Sequence, residues 1–301
     1  MNFAQLLFPD FFLILLGFLV CRYTPLGRDV WGPAEALVYY LLFPVLLFQS
    51  IVKNPLDVHE ASSLIGAGLL MGIGGIAMAY SLPYLPIAGR YIDKRDHAGA
   101  AQVAFRFNSF IAIALAERMV GARGLQLLAV LIGFCVPLVN VGAVWPMARH
   151  GGNGLMRALL RNPLIVATLS GLAANLLGLH LPALIEPVTN RIGASSIALG
   201  LMTAGAGLQL GTLSQDKVLT AGVLSIRHFF TPLVGWLMVR VFSLDAGQAA
   251  VLLIFSALPA SSSSYVLAVR MGYNGAYVAG LVTLSTVLGM MSLPFALGVL
   301  R

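Results

Sequence analysis

Residues 98–120 decide the fold, and the centre of this stretch reads Phe105-Arg106-Phe107-Asn108-Ser109-Phe110. An apolar segment of about 20 residues is long enough to cross the hydrocarbon core of a bilayer. Arg106 lies about 12 Å from the start of the segment at the helical rise, which is deep for its guanidinium to reach the membrane surface. Because an ionisable group is costly in lipid, Arg106 should face the bundle interior or a wet cavity.

A second apolar stretch, residues 247–272, is interrupted in the same way by Leu258-Pro259-Ala260-Ser261-Ser262-Ser263-Ser264. Two interrupted hydrophobic segments at corresponding places in the two halves of a chain are the best sequence pointer to a transporter's binding site. The pair therefore predicts a secondary transporter whose site lies where the two broken helices meet.

The composition is that of an integral membrane protein. Of the 301 residues, 59% are hydrophobic and 10% are charged, and the mean hydropathy is +0.90; a soluble domain cannot hide so much apolar surface. The apolar runs are continuous and do not alternate, which favours helices over a barrel. The net charge of +7 comes from basic residues scattered in short loops. We attribute it to membrane topology and anion preference, and not to nucleic-acid binding. No metal or cofactor is predicted.

Ten membrane spans can be drawn along the chain. Their predicted bounds are 6–21, 33–51, 62–87, 98–120, 124–148, 163–177, 192–212, 218–241, 247–272 and 276–300. Spans 6 to 10 resemble a second copy of spans 1 to 5, because Leu115-Ala116-Glu117-Arg118-Met119 matches Leu267-Ala268-Val269-Arg270-Met271. Five spans in each half require opposite orientations, so the sequence predicts inverted repeats over residues 1–150 and 151–301.

The loop charges predict the orientation of these spans. Loops that follow odd-numbered spans hold ten of the 18 basic residues, the other face holds six, and Arg106 and Arg227 lie inside spans. Cytoplasmic loops carry the excess of lysine and arginine. We therefore expect a multi-pass protein of the cell (inner) membrane with both termini outside.

The polar residues at the breaks favour an anionic ligand. Free N–H groups and the positive end of the helix dipole attract anions at helix starts, and the planar charge of Arg106 suits a carboxylate. The candidate substrate-binding residues are Arg106, Phe107, Asn108, Ser109, Asn140, Pro259, Ser261, Ser262 and Ser263. Alternatives stay open at three places: Arg106 as a cap of backbone carbonyls, the serines as helix-packing residues, and Asn140 as a bridge between helices.

Arg227 and His228 form a second basic feature, inside span 8. His228 could carry a coupling proton, because the ordinary pKa of histidine lies near physiological pH, or it could be a hydrogen-bonded fixture. The eleven acidic residues all lie in loops or near span ends. With no carboxylate at mid-depth, a cationic cargo has little to hold it, and the cargo is predicted to be negative.

The chain resembles the auxin efflux carrier family, which includes bacterial carriers for malate or malonate and the plant PIN auxin carriers. The resemblance rests on Leu42-Phe43-Pro44, Phe107-Asn108-Ser109-Phe110, Asn162-Pro163, Ala204-Gly205-Ala206-Gly207-Leu208, Leu258-Pro259 and Tyr265-Val266-Leu267-Ala268. It implies an all-α membrane fold of two inverted five-helix repeats with crossed, broken helices 4 and 9, like the sodium/bile-acid symporters. It also implies a scaffold of spans 1, 2, 6 and 7, often dimeric, and a moving transport domain of spans 3–5 and 8–10.

The resemblance assigns Asn108 to meet a substrate carboxylate. The sequence departs from the family pattern at three positions: Ala260 replaces one proline of span 9, Ser263 stands where the span 9 asparagine is expected, and Ala114 replaces a proline of span 4. Span 4 is therefore expected to be less sharply broken, and auxin is a less suitable cargo.

The leading hypothesis is an elevator-type carrier, a homodimer, for a small mono- or dicarboxylate. A sodium-coupled organic anion symporter like the bile acid carriers is the alternative, although its acidic sodium ligand is missing at depth. More remote are an intramembrane enzyme that uses the serine run with His228, which no hydrolase motif supports, and a ligand-sensing membrane receptor. The sequence leaves open the substrate, the direction of transport, and coupling to protons or sodium.

Overall fold

The computed structural model describes residues 3–53, 58–148, 163–208, 216–261 and 263–299, and these residues are almost entirely helical. The α-helices are α1 (Phe3–Tyr23), α2 (Arg28–Leu37), α3 (Phe43–Lys53), α4 (Val58–Ser81), α5 (Lys94–Ala100), α6 (Ser109–Val120), α7 (Ala122–Ala148), α8 (Pro163–Leu176), α9 (Glu186–Ala206), α10 (Lys217–Ser225), α11 (Thr231–Val241), α12 (Ala246–Ala257), α13 (Ser263–Arg270) and α14 (Gly275–Val299). Helices lie at every predicted span, and the boundary at 150/151 falls outside the described residues.

Among the residues that the structure describes, four helical segments are long and apolar enough to cross a membrane by length and composition. They are Ala61–Tyr84, Ala122–Met147, Lys217–Val241 and Gly275–Gly298. These segments identify a multi-pass membrane protein, as the composition predicts.

Two spans contain a wide π turn just before a proline. Val38–Leu42 joins α2 to α3 ahead of Pro44, and Ile226–Phe230 joins α10 to α11 ahead of Pro232. Proline has no N–H, and its ring clashes with the carbonyl four residues earlier. A π turn rearranges this part of the hydrogen-bond ladder, so the helix continues past the proline.

Prolines also explain two boundaries that the sequence misplaces. Span 3 was predicted to reach residue 87, but α4 ends at Ser81 and a 3₁₀ turn with Pro83 follows. Span 7 was predicted to begin at residue 192, but α9 begins at Glu186. Pro187 and a glutamate in the first turn are favourable at a helix start. The predicted span began later because this first turn has low hydropathy.

The helices pack into two groups. In one, α1 packs on α9, α3 packs on α8, and α9 contacts α2 and α3. Small residues allow the first of these pairs to approach closely, because a side chain at Gly17 would meet the backbone of Met202 and one at Gly205 the backbone of Ile14. In the other group, α4 packs on α7 and α11, α6 on α7, α12 on α11 and α13 on α14.

Candidate functional site

The first helix break separates α5 and its 3₁₀ extension (Ala101–Ala104) from α6. Asn108 is the N-cap of α6 and is 3% exposed. Its Oδ1 accepts the N–H of Phe110 at 2.9 Å and of Ile111 at 3.3 Å, which satisfies two donors that a helix start leaves unpaired. The carbonyl side of the amide is therefore committed to the fold, and Nδ2 is the atom of Asn108 suited to donate to a ligand.

The second helix break separates α12 from α13. A capping box of Asp245 and Gln248 starts α12, and Pro259 explains its end, because the residue before a proline is pushed out of the helical conformation. Leu258 is accordingly extended, with ψ of 147°. Of the predicted site residues here, Ser262 lies outside the described residues, and Ser263 is the first residue of α13.

The two breaks meet and pair with each other. Phe107 and Ala260 form an antiparallel β-bridge, in which the Asn108 N–H donates to Pro259 O at 2.9 Å and the Ser261 N–H to Arg106 O at 3.2 Å. The structure thus brings together predicted site residues from both halves, and we call this place the crossing. The pairing also satisfies backbone groups that the sequence analysis expected to be free for a ligand.

Aromatic and small residues fit the crossing into the bundle. The ring of Phe107 lies 4.2 Å from that of Phe255, centroid to centroid. Pro259 packs against α14 where Gly289 leaves room, since a Cβ added there would lie 2.7 Å from Pro259 Cγ. Phe107 and Pro259 are therefore held at the crossing by packing against neighbouring helices.

Arg106 is partly buried and is held by Gln102, one helical turn earlier. Its Nη1 donates to Gln102 Oε1 at 2.8 Å, while Gln102 Nε2 donates to Gly99 O at 3.0 Å and to Ser264 O at 3.1 Å. Gln102 is 1% exposed and links the first break to the start of α13. Sequence reasoning missed Gln102, although its spacing of four residues from Arg106 on a helix was a usable signal.

Ser264 is a second residue that the candidate set omitted. It lies in the first turn of α13 and is fully buried, and its Oγ has no hydrogen-bond partner among the residues that the structure describes. An unpaired buried hydroxyl is costly, so a polar group bound here would be stabilised. Ser109 and Ser261 are partly buried at the crossing. Asn140 is partly buried in α7, and no hydrogen bond joins its side chain to the crossing within the described ranges.

Arg227 and His228 support the crossing from span 8. Arg227 is 2% exposed, and its guanidinium donates to backbone carbonyls at the end of α12. The ring nitrogens of His228 lie 2.8 Å from Ser292 Oγ (Nδ1) and 2.8 Å from Ser285 Oγ (Nε2). Ser285 Oγ also accepts the Ala260 N–H at 2.9 Å. A chain of two hydrogen bonds therefore leads from His228 to the crossing.

A cavity of about 470 Å³ opens beside His228. Residues of α10, the following π turn and α14 line it, among them Lys217, Thr220 and Ser225. His228 therefore lies at the edge of this cavity.

Paired helix breaks inside a bundle of apolar helices are typical of membrane transporters. The chain belongs to the family described as "Membrane transport protein", the auxin efflux carrier family, which residues 146–297 match. The resemblance drawn from the motifs is thereby confirmed, and the chain belongs to a family of transporters and not of enzymes.

Two relatives extend the likeness over nearly the whole chain. A protein named "Uncharacterized transporter" from Methanothermobacter thermautotrophicus is 22% identical over 285 residues, which cover 94% of this chain and 93% of that protein. A protein named "Putative malonate transporter" from Rhizobium meliloti is 23% identical over 323 aligned positions, which cover 98% and 95%.

Proposed function

We propose that this protein is a secondary active transporter of the elevator type that moves a small organic anion, a carboxylate, across the cell (inner) membrane. The observation that carries the proposal is the crossing, where the starts of α6 and α13 lie beside Arg106. Helix starts carry a partial positive charge, and a guanidinium adds a full one.

A carboxylate at the crossing would have suitable donors. Arg106 has five N–H groups in a planar fork that matches a carboxylate, and Asn108 Nδ2 can donate to the same group. The hydroxyls of Ser109 and Ser261, together with the unpaired Ser264 hydroxyl, lie on the two sides of the crossing. A dicarboxylate could therefore use both breaks, in keeping with the name of the Rhizobium relative, and malonate is the first substrate to test.

Contacts between the connecting segments support ten alternating spans. Contacts among connections after odd-numbered spans join Arg28 to Gly207, Arg95 to Gly272 and Tyr277 to Asp216. Contacts at the other ends join Arg123 to Asp245 and Asn175 to Ile51. In each of these contacts, both partners lie after odd-numbered spans or both lie after even-numbered spans. This is expected if the chain crosses the membrane at each span. The excess of basic residues on the odd side supports a cytoplasmic position for it, with both termini outside.

The packing supports the inverted repeat and its division into scaffold and transport domain. In an inverted repeat, α1 corresponds to α8 and α3 corresponds to α9. The pair α1–α9 therefore corresponds to the pair α8–α3, and the helices of both pairs are in contact. The two helix groups meet beside the site, where the ring of Phe110 lies 4.7 Å from that of Phe43. An elevator movement would slide α6 along this contact. The family resemblance suggests that two scaffolds form a homodimer.

The first test is a thermal-shift screen of the purified protein with malonate and with its neutral analogue malonamide. A ligand that binds only the folded state raises the unfolding midpoint. We expect a shift with malonate or another small carboxylate, none with malonamide, and loss of the shift in Arg106→Ala and Asn108→Ala. Arg118→Ala, at the exposed C-terminal end of α6, is the matched control. Stabilisation by neutral or cationic solutes alone would contradict the proposal.

A cross-linking experiment tests the elevator movement. Cysteines replacing Phe43 and Phe110 should react with a short bifunctional reagent and block uptake by reconstituted vesicles, because they join the two helix groups. Cysteines replacing Leu46 and Gly193 join two scaffold helices, where a Gly193 Cβ would lie 3.0 Å from Leu46 Cδ1, and should leave uptake intact. Uptake that survives the first cross-link would exclude this movement.

Proton coupling through His228 is the coupling that we propose to test first. The charged and polar groups around it are Arg227 beside it, the Ser285 and Ser292 hydroxyls of α14, and Lys217, Thr220 and Ser225 in the same cavity. If His228 carries the proton, uptake should rise as the pH falls, and His228→Gln should remove this dependence. An unchanged pH profile in His228→Gln would leave His228 as a hydrogen-bonded fixture.

A further inference from the structure

Arg227 places a permanent positive charge at the end of a broken helix. Its Nε donates to Leu258 O at 2.5 Å, and its Nη2 lies 3.2 Å from both Phe255 O and Ser256 O. All three oxygens belong to the C-terminal end of α12 or the residue just after it. Its hydrogen bonds within the described part of the chain go to backbone carbonyls, so helix dipoles and no carboxylate balance its charge.

The end of a broken helix is a place where transporters bind a cation. The last carbonyls of a helix lack intrahelical donors and carry a partial negative charge. In broken-helix transporters, such carbonyls and half-helix C-terminal ends coordinate the coupling sodium ion or proton. We propose that the Arg227 guanidinium takes the place of a sodium ion at the end of α12, so that transport by this protein does not depend on sodium.

The local structure explains why Arg227 reaches this position. It lies in the π turn Ile226–Phe230, which the Thr231 hydroxyl closes by donating to Ile226 O at 2.9 Å. Gly235, farther along span 8, packs directly against Ser256, because a Cβ there would lie 2.6 Å from the Ser256 Cβ. Span 8 is therefore pressed against α12 where the carbonyls emerge.

The charge of Arg227 would exclude a sodium ion in two ways. The carbonyl oxygens that the ion would need as ligands already accept hydrogen bonds, and a second cation within a few ångströms would be repelled in a medium of low dielectric constant. The same charge offsets the negative end of α12, so the helix starts and Arg106 dominate the field at the crossing. The inference thus rests on the proposed anion transport and deepens it by removing sodium as the coupling ion.

The test measures stability without substrate, so it does not depend on whether the proposed cargo is correct. In wild type, replacement of sodium by choline at constant ionic strength should leave the unfolding midpoint unchanged. In Arg227→Ala the midpoint should fall by about 5 °C or more, because buried carbonyls lose their donors. Millimolar guanidinium should raise the midpoint of this variant and not that of wild type.

Two further variants keep the test informative. Arg227→Lys retains the charge and should be stable enough to purify even if the alanine variant does not fold. Guanidinium should not raise the midpoint of this variant. Arg240→Ala removes an exposed arginine of the same span, which lies over the Trp236 ring, and should not respond to guanidinium. A sodium-dependent midpoint or sodium-dependent uptake in wild type would overturn the inference, as would an Arg227→Ala variant of wild-type stability. Absence of carboxylate uptake, with the guanidinium response intact, would instead contradict only the proposed cargo.

Discussion

The two helix breaks are held by different means. The first is local: Asn108 caps the helix that follows it, and Arg106 is held by Gln102 one turn earlier. The second depends on distant helices, since Arg227 of span 8 holds the carbonyls of α12, and Ser285 of α14 holds the Ala260 N–H.

This difference suggests that the two breaks have different roles, one in ligand binding and the other in stability. Local caps place the guanidinium of Arg106 and the Nδ2 atom of Asn108 close to the crossing. The second break is a fixed frame whose carbonyls and amide are already satisfied by buried side chains. We therefore expect substitutions in the first break to change ligand binding more than stability, and substitutions around the second break to change stability first.

The substitution Asn108→Asp is the strongest test of this difference between the two breaks. Aspartate keeps the oxygen that caps α6 and is as good an N-cap as asparagine, so the unfolding midpoint should stay near that of wild type. The substitution removes the amide donor and adds a negative charge toward an anion, which costs several kcal/mol. Affinity for the carboxylate should fall by about 100-fold or more.

Asn108→Ser is the control for this prediction, because serine also caps a helix and adds no charge. Isothermal titration of the purified proteins would measure the affinity for the carboxylate, and thermal unfolding would measure the midpoint. If Asn108→Asp binds the carboxylate as well as wild type does, the Asn108 side chain is only a cap, and the proposed ligand position is wrong.

The sequence predicted both breaks because their causes are local. Pro259 disfavours a helical conformation for the residue before it, and Asn108 is a strong helix-start residue, so each can be identified without knowing what lies nearby. The apolar runs supplied the order of the spans, and the family motifs implied their arrangement in two inverted repeats. The position of Arg106 at the crossing also followed from its depth in an apolar segment.

The supporting residues could not be predicted in the same way. Ser285 matters because it accepts the Ala260 N–H, 25 residues earlier in the chain, and one serine among many in an apolar helix gives no signal of such a contact. Arg227 was recognisable as a buried cation, but its carbonyl partners depend on how span 8 packs against α12. The sequence analysis considered carbonyl capping for Arg106 and missed that Arg227 caps the carbonyls at the end of α12.

A smaller effect is expected from a glycine beside the second break. In Gly289→Ala the new Cβ would lie 2.7 Å from the Pro259 ring, which cannot rotate away, and overpacking of this kind costs about 1–3 kcal/mol. Gly32→Ala is the matched control, because nothing lies within 4 Å of a Cβ at this helical position. It should be stabilising by about 0.5–1 kcal/mol. Equal thermal midpoints for the two variants would contradict a tightly packed second break.

The smallest effect is the difference between two serines that bind the same histidine. Ser285→Ala removes a hydrogen bond to His228 and also leaves the buried Ala260 N–H without its acceptor, which costs about 1–3 kcal/mol. Ser292→Ala removes only a hydrogen bond to His228, worth about 0.5–1.5 kcal/mol. Thermal unfolding of the two variants should therefore rank Ser285→Ala below Ser292→Ala. The reverse order would mean that the second break does not need its support from α14, and that the two breaks are more alike than their hydrogen bonds indicate.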